Sequence, residues 1–377
     1  MTTTGSLYVH APFCVRRCAY CDFAVQVRRT GDLGGWLAAL EGELKAVETE
    51  GLLALGDRLE TLYVGGGTPS LLGPLAMEGL ARVVGRDRVA ASDLEWTAEA
   101  NPESLTAKVA DAWRRAGLNR LSLGVQTFHE PSLRWMGRLH GPDGAAAAVA
   151  AARDAGLTNL SVDLIFGLPA RLERPWRQDL ERALALEVPH VSLYGLSVEP
   201  RTPLGRAVAE GKEEPVDEER YREEFLEAAE VLTRAGYEHY EVSNFARPGF
   251  ASRHNRAYWT GAPYLGLGNG AHSYAPPVRR WNLRSWEDYS GVATLGRRAE
   301  EGREVLDAMA LRLERVWLGL RTAQGLPLDG LGPGAEAVAA GWTRSGLAET
   351  PGRNVRLTAQ GWLLLDRLAV ELDGACA

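Results

Sequence analysis

Cysteine is scarce in this 377-residue chain, at four residues, which excludes a disulfide-stapled secreted scaffold. No stretch approaches the ~18 uninterrupted apolar residues of a membrane span. The opening Met1-Thr-Thr-Thr-Gly-Ser6 lacks the basic region and apolar run of a signal peptide. Cytoplasm is therefore the expected compartment. Basic charge is not in excess either: the formal net charge is −7, which argues against nucleic acid as the main partner, because phosphate binding leaves a basic footprint. Hydrophobic residues at 45% and charged residues at 24% describe an ordinary globule. The length suits one large domain plus a smaller one.

What cysteine there is lies close together. Cys14, Cys18 and Cys21 fall within Cys14-Val-Arg-Arg-Cys18-Ala-Tyr-Cys21, directly after the apolar run Leu7-Tyr-Val-His-Ala-Pro-Phe13; Cys376 is next to last. Thiolates packed this closely on a loop are a soft-ligand set for a metal or an iron–sulfur cluster. Three of them leave one iron of a four-iron cubane without cysteine, and an open position is what a reactive metal centre needs. A disulfide, which would strand the third thiol, and a zinc site completed by a histidine are the alternatives.

Strand candidates recur at about 6–12, 60–65, 94–100, 120–126, 159–166 and 190–197. Amphipathic helical spacing separates them, as in Trp36, Leu37, Leu40, Leu44 and Val47, in Leu105, Val109, Trp113 and Ala116, and in Tyr221, Phe225, Ala229 and Leu232. Arg115-Ala-Gly-Leu118, Asp154-Ala-Gly-Leu157 and Arg234-Ala-Gly-Tyr237 each place glycine where a left-handed residue ends a helix. This alternation predicts an α/β fold of parallel βα units, with a doubly wound open sheet as the rival to a barrel. Polar residues at the strand ends favour a partial, TIM-like (β/α)6 barrel over residues 1–240, because barrel chemistry sits at that rim. Residues 241–300 are expected to be long and irregular. Residues 301–377 read as a small, mostly helical, winged-helix-like domain, in which Asn354–Thr358 forms a strand and a cap before a last helix.

Four features at the rim carry chemistry. Gly65-Gly66-Gly67-Thr68 lets the backbone approach a ligand, and bare N–H groups there are expected to hold a carboxylate or phosphate; a tight turn is the alternative. Glu99 and Asp163 are carboxylates on otherwise apolar strands, where burial costs several kcal/mol unless they are paired. They read as partners of ribose hydroxyls or as structural ion pairs. Arg138 can clamp a carboxylate in a bidentate fork, or be a solvated surface group.

Cys-x3-Cys-x2-Cys with an aromatic before the last cysteine, together with the glycine-rich second strand end, resembles the radical S-adenosylmethionine (SAM) superfamily. Tyr8-Val-His-Ala-Pro-Phe-Cys14, Gly65-Gly-Gly-Thr-Pro-Ser70, Arg120-Leu-Ser-Leu-Gly-Val-Gln126 and Asp163-Leu-Ile-Phe-Gly-Leu-Pro169 are similar to its coproporphyrinogen-oxidase-like group. The resemblance implies a [4Fe–4S] cluster on Cys14, Cys18 and Cys21, with SAM on its unique iron. By position, SAM contacts would fall on Tyr8, Tyr20, Gly66, Gly67, Thr68, Glu99, Gln126, Arg138 and Asp163, with Gly195 a further candidate. Arg16 and Arg17 are placed to temper the cluster's charge, and His10 to support its loop.

Within that group, an oxygen-independent coproporphyrinogen III oxidase carries a fourth cysteine two residues after the third, where this chain has Phe23. The pattern is instead similar to the heme-chaperone branch, whose HNxxYW motif matches His254-Asn255-Arg-Ala-Tyr258-Trp259. That resemblance implies a heme carrier delivering to apo-hemoproteins, with respiratory, membrane-associated acceptors, a peripheral place at the inner membrane and a homodimer; oxidative decarboxylation of coproporphyrinogen III is the alternative. Imidazole can ligate heme iron and flat aromatics can face a porphyrin. His254, Asn255, Tyr258 and Trp259 are therefore heme candidates, His272 is a second ligand candidate, and Arg253 and Arg256 are candidates for the propionates. A hydrogen-bonded structural turn is the alternative for the motif.

Overall fold

The computed structural model describes residues 1–376. The six expected strands lie side by side in chain order: β1 Ser6–Ala11, β2 Thr61–Gly66, β3 Glu95–Ala100, β4 Arg120–Gln126, β5 Asn159–Phe166 and β6 His190–Gly195. Every neighbouring pair among them is parallel. Helices α1 Leu33–Glu50, α2 Ala76–Val84, α3 Ala107–Ala116, α4 Gly144–Asp154 and α5 Trp176–Ala185 fall between successive strands, and α6 Glu218–Arg234 follows β6. Gly117, Gly156 and Gly236 take φ of 112°, 82° and 87°, the left-handed stops that the Ala-Gly repeats predict.

Three strands of three or four residues extend the sheet beyond the expected six. A hairpin of β7 Glu238–Glu241 and β8 Asn244–Ala246 joins beside β6, and β9 Leu265–Leu267 pairs parallel with β1 at the opposite edge. The order is β7-β8-β6-β5-β4-β3-β2-β1-β9, and the two edge strands do not pair, so the sheet is an open arc rather than a closed eightfold barrel.

The strands obey a period of two that sorts chemistry by face. Leu7, Val9, Leu62, Val64, Trp96, Ala98, Leu121, Leu123, Leu160, Val162, Val191 and Leu193 are buried in one apolar cluster with helix residues such as Trp36, Leu80, Trp113 and Leu180. Fully burying each large side chain contributes roughly 1.5–3 kcal/mol, so this layer dominates the fold's stability. The intervening residues are polar. Register places Tyr8, Tyr63, Thr97 and Arg120 in one row across β1–β4 and Glu99, Ser122, Ser161 and His190 in another across β3–β6. Buried polar groups must find partners, and these bond one another: Tyr63 donates to Glu99 at 2.8 Å, Ser122 to Asp163 at 2.9 Å, and Ser161 meets His190 at 2.7 Å. The inner face of the arc is thus a polar surface with an apolar jacket.

The expectation of an irregular segment from 241 onward is corrected. Besides β8 and β9 it holds helix α7 Arg253–Trp259, followed by an antiparallel sheet of β10 His272–Ala275, β11 Val278–Asn282 and β12 Glu300–Val305, with α8 Trp286–Ala293 between the last two. Elements of three to eight residues are too short to show a period. Beyond them come α9 Ala308–Leu320 and α10 Pro333–Arg344, a small antiparallel sheet around Asn354–Leu357, and α11 Ala359–Trp362 and α12 Leu365–Gly374. Thr358 caps α11 by accepting from Gly361 N at 3.2 Å, as its position predicts. Val316, Leu320, Trp342 and Leu368 belong to the same apolar cluster as the strands. Among the described residues no helix is long and apolar enough to cross a membrane.

Candidate functional site

One cavity of about 1110 Å³ opens at the carboxyl ends of β1–β6. That is at the upper end of small-molecule sites, which run ~300–1,000 Å³, so it has room for more than one group. Cys14, Cys18 and Cys21 line it, all as free thiols, and so do Tyr8, Tyr20, Gly66, Gly67, Thr68, Glu99, Gln126, Arg138, Asp163 and Gly195. Of the heme candidates, Tyr258, Trp259 and His272 line it, whereas His254 and Asn255 do not. Cys376 lies on α12's far end, its thiol donating to Leu372 O, away from the cavity.

The cysteine loop leaves β1 and is closed at its base. Gln26 N donates to Pro12 O at 2.8 Å and Arg28 N to Cys14 O at 2.9 Å, so residues 14–26 form a fixed excursion. Farther out, Leu204 N donates to Ala19 O at 2.9 Å. His10 bridges loop and strand: its Nδ1 meets Tyr8 Oη and its Nε2 meets Ala24 O, each at 3.0 Å. Burial pushes the Cys14 thiol up to about 11 and raises Cys21 as well, so a bare thiolate is disfavoured there without a cation. Among the described residues no three Cys, His, Asp or Glu side chains converge tightly enough to hold a single metal ion.

Arg138 is the cation at the loop, not a solvated group. Its guanidinium donates to Asn101 Oδ1 at 2.7 Å and reaches Cys18 Sγ at 3.9 Å, while its buried Nε has no partner. Arg16 and Arg17 sit on the exposed part of the rim. Gln126 holds φ of 68° just past a register shift in β4, a left-handed backbone that is unfavourable for a side chain-bearing residue and re-aims this one at the cavity.

The glycine run is corrected in its role. Gly66 N donates to Glu99 Oε2 at 3.0 Å, and Gly67 N and Thr68 N donate to Ala11 O and Phe13 O, each at 2.8 Å. None of these three amides is bare for a ligand. The glycines are required because strand and loop touch: a Cβ on Gly66, whose φ is 110°, would lie 2.2 Å from the His10 ring, and one on Gly67 would lie 2.8 Å from Ala11 O. Likewise a Cβ on Gly195 would meet Tyr221 Oη at 1.9 Å, so helix packing requires glycine at this lining position.

Among the described residues Glu99 has no ion-pair partner. It accepts from the Tyr63 hydroxyl and the Gly66 amide, and burial, followed by the charge of Asp163, pushes its carboxyl up to about 7. Burial raises Asp163 too. Arg120, fully inside the arc with its Nε unpartnered, tempers both carboxylates; sequence reading passed over it, though its place in the period-two row marks it.

The HNxxYW segment serves the barrel first. Glu95 on β3 accepts from Arg253 N and His254 N, both at 3.0 Å, and Ser252 caps the helix from outside. His254 is 1% exposed: its Nδ1 meets Thr61 Oγ1 at 2.8 Å, its Nε2 meets Tyr258 Oη at 2.9 Å, and its ring stacks on Tyr63. Neither ring nitrogen is open to iron. Arg253 turns to Asp93 O and Arg256 to the Tyr240 ring, away from the cavity. Arg279, Arg284, Glu314 and Trp317 line the wall instead, none of them singled out by the sequence, because β11 and α9 are far along the chain from the cysteines. Phe23 stands at the rim, 62% exposed.

Comparison with known proteins follows the same outline. The radical SAM superfamily model matches residues 8–183. The heme chaperone HemW of Mycobacterium tuberculosis is 38% identical over 375 residues, covering 98% of this chain and 94% of that protein. Heme chaperone HemW of Bacillus subtilis is 34% identical over 372 residues, covering 95% and 96%. Among solved structures, coproporphyrinogen III oxidase (HemN) of Escherichia coli superposes with a TM-score of 0.78 at 23% identity, covering 99% of this chain and 90% of that one, which speaks to fold.

Proposed function

Because the chain belongs to the HemW family of the radical SAM superfamily, we propose that it is a heme chaperone that holds a [4Fe–4S] cluster and SAM in the rim cavity, binds heme there, and passes it to apo-hemoproteins. The observation that carries this reading is the single cavity: a thiol trio, buried carboxylates and an aromatic wall bearing a histidine share one space. The donor chemistry fits the groups. Three soft thiols beside the Arg138 guanidinium suit an anionic iron–sulfur cluster. Glu99 and Asp163 offer acceptors to ribose hydroxyls or an ammonium, and the unpartnered Arg138 Nε is a spare donor for a carboxylate. When bound and reduced, such a cluster supplies the electron that cleaves SAM.

The chain's own residues bind, orient and shield. Tyr8 and His10 fix the loop, Arg138 tempers thiolate charge, and the apolar jacket keeps the arc rigid. In this reading residues 1–240 supply the floor, residues 241–300 most of the outer wall, and residues 301–377 one aromatic side of it through α9. Cytoplasmic residence, peripheral contact with the inner membrane, membrane-associated respiratory acceptors and a homodimer belong to the proposal. Its test is transfer. Hemin-loaded protein, mixed with an apo-b-type hemoprotein, is expected to give the acceptor's Soret band faster than free hemin released from albumin; failure to bind hemin or to deliver it overturns the chaperone reading. The oxidase alternative makes a separate prediction, protoporphyrinogen from coproporphyrinogen III with SAM and reductant under anaerobic conditions, and the exposed Phe23 in place of a thiol speaks against it.

A further inference from the structure

Resting on the cluster reading above, we propose that Asn101 is a positioning residue for the cluster. Its amide locks Arg138 and the Thr68 hydroxyl so that each presents a proton to a thiolate sulfur, and this arrangement raises the cluster's reduction potential.

The proton positions follow by elimination. An arginine side chain only donates. Arg138 Nη2 meets one end of the Asn101 amide at 2.7 Å, so that end is Oδ1 and the other is the Nδ2 amino group. Nδ2 lies 3.2 Å from Thr68 Oγ1 and donates to it. The Thr68 hydroxyl therefore accepts from Asn101 and keeps its single proton for another partner. Cys14 Sγ is 3.5 Å from that oxygen, and as a thiolate it only accepts. Arg138 Nη1 reaches Cys18 Sγ at 3.9 Å. One amide thus aims a donor at two of the three thiols.

The surroundings hold Asn101 still. It follows directly on β3, and its carbonyl accepts from Ser104 N at 3.0 Å, Leu105 N at 3.1 Å and Ser104 Oγ at 3.2 Å. Thr68 is buried, with its backbone N bound to Phe13 O, and Arg138 donates a further bond to Gly124 O. Gly124 leaves the gap in which the side chains meet: a Cβ there would stand 3.3 Å from both Asn101 Oδ1 and Arg138 Nη2. The ends of β2 and β3 and the body of β4 therefore converge on this amide. Hydrogen bonds to cluster sulfurs and nearby positive charge favour the more negative, reduced state, so both raise the potential. An Asn101 that only shaped the turn after β3 would leave the potential unmoved.

The test uses full-length protein with the cluster reconstituted anaerobically and no SAM added. The midpoint potential is read by EPR during titration with titanium(III) citrate. Thr68→Val keeps the shape and removes the proton given to Cys14. It is expected to shift the reduction equilibrium about tenfold toward the oxidised form, about 59 mV lower for a one-electron couple. Thr68→Ser restores the hydroxyl and is expected to hold the wild-type potential; Thr68→Ala serves where Thr68→Val takes up no iron. Asn101→Asp replaces the amino group by an acceptor, which turns the Thr68 proton from sulfur to carboxylate, and its potential is expected to fall at least as far. Combining Thr68→Val with Asn101→Asp is expected to give clearly less than the sum of the two shifts, because one hydroxyl can be lost only once. An unchanged potential in Thr68→Val, or additive shifts in the double variant, overturns the assignment while leaving the cluster intact. Wild type that incorporates no iron and sulfide overturns the cluster reading itself.

Discussion

The two sides of the cavity are built differently. The floor comes from long strands on which the carboxylates and the inward histidine are engaged, Glu99 with Tyr63 and Gly66, Asp163 with Ser122 and His254 with Thr61 and Tyr258, while Thr97 Oγ1 and Arg120 Nε stay unpartnered. The outer wall comes from elements after the arc; its arginines are paired, Arg279 with Glu304 and Glu314 and Arg284 with Asp22, but among the described residues the His272 ring makes no hydrogen bond and Trp259 Nε1 has no partner. A pre-bonded floor is rigid and holds a cofactor in fixed geometry, whereas an open wall can take up and release a cargo. On this comparison resident groups belong to the floor and the transferred group to the wall.

The largest effect that would break this division concerns the thiols. Replacing Cys14, Cys18 or Cys21 singly by Ala is expected to abolish iron and sulfide incorporation on anaerobic reconstitution, while Cys376→Ala incorporates both normally; iron and sulfide analysis decides it. Next, Gly66→Ala forces a Cβ to 2.2 Å from the His10 ring at a φ of 110°. Strain of that kind costs on the order of 1–3 kcal/mol or more, and urea denaturation is expected to show a midpoint lowered accordingly, whereas Gly261→Ala, with open space around it, loses less.

Proton linkage sharpens the comparison. Glu99 rises from 4.5 to about 7 on folding, so between those values the folded state binds more protons than the unfolded one, and stability falls as pH rises through that window, by on the order of 3 kcal/mol in all. Glu99→Gln removes that slope. His10 and His254 have the opposite sign. Burial lowers them to about 4 and about 3, so below about pH 6.5 the unfolded chain takes up protons that the folded one refuses. Each is expected to remove roughly 1 kcal/mol of stability over the first pH unit below that point. Chemical denaturation at a series of pH values, with His254→Gln shallower than wild type on the acid side, checks both. The smallest effect lies farthest from the cavity: Thr358→Ala removes the cap of α11 and is expected to lower stability by about 1 kcal/mol.

The floor was legible in the sequence because long periodic segments carried it. Six strands, the glycine stops and a rim bearing Glu99, Gln126 and Asp163 follow from period and position, and the cysteine spacing marks its own loop. The polar inner face was legible in principle. Arg120, Ser122 and Gly124 alternate with Leu121, Leu123 and Val125, but reading β4 as an apolar strand hides Arg120. The wall was not legible, for two physical reasons. Its elements apart from α9 are too short to show a period, and its residues, from Trp259 to Trp317, meet only through tertiary packing. The HNxxYW motif pointed to the right neighbourhood through Tyr258 and Trp259, yet its histidine turns inward because Glu95, 159 positions earlier in the chain than His254, draws the helix onto the arc.

The account turns on one cavity holding a cluster on three thiols beside a place for heme. Anaerobic reconstitution followed by iron, sulfide and heme analysis on one sample tests this directly. It predicts close to four iron and four sulfide per chain before hemin is added, with SAM altering the reduced cluster's EPR signal, and hemin then binding on top of the full cluster complement. Zinc in place of iron, a silent response to SAM, or hemin bound only when the cluster is displaced would contradict it.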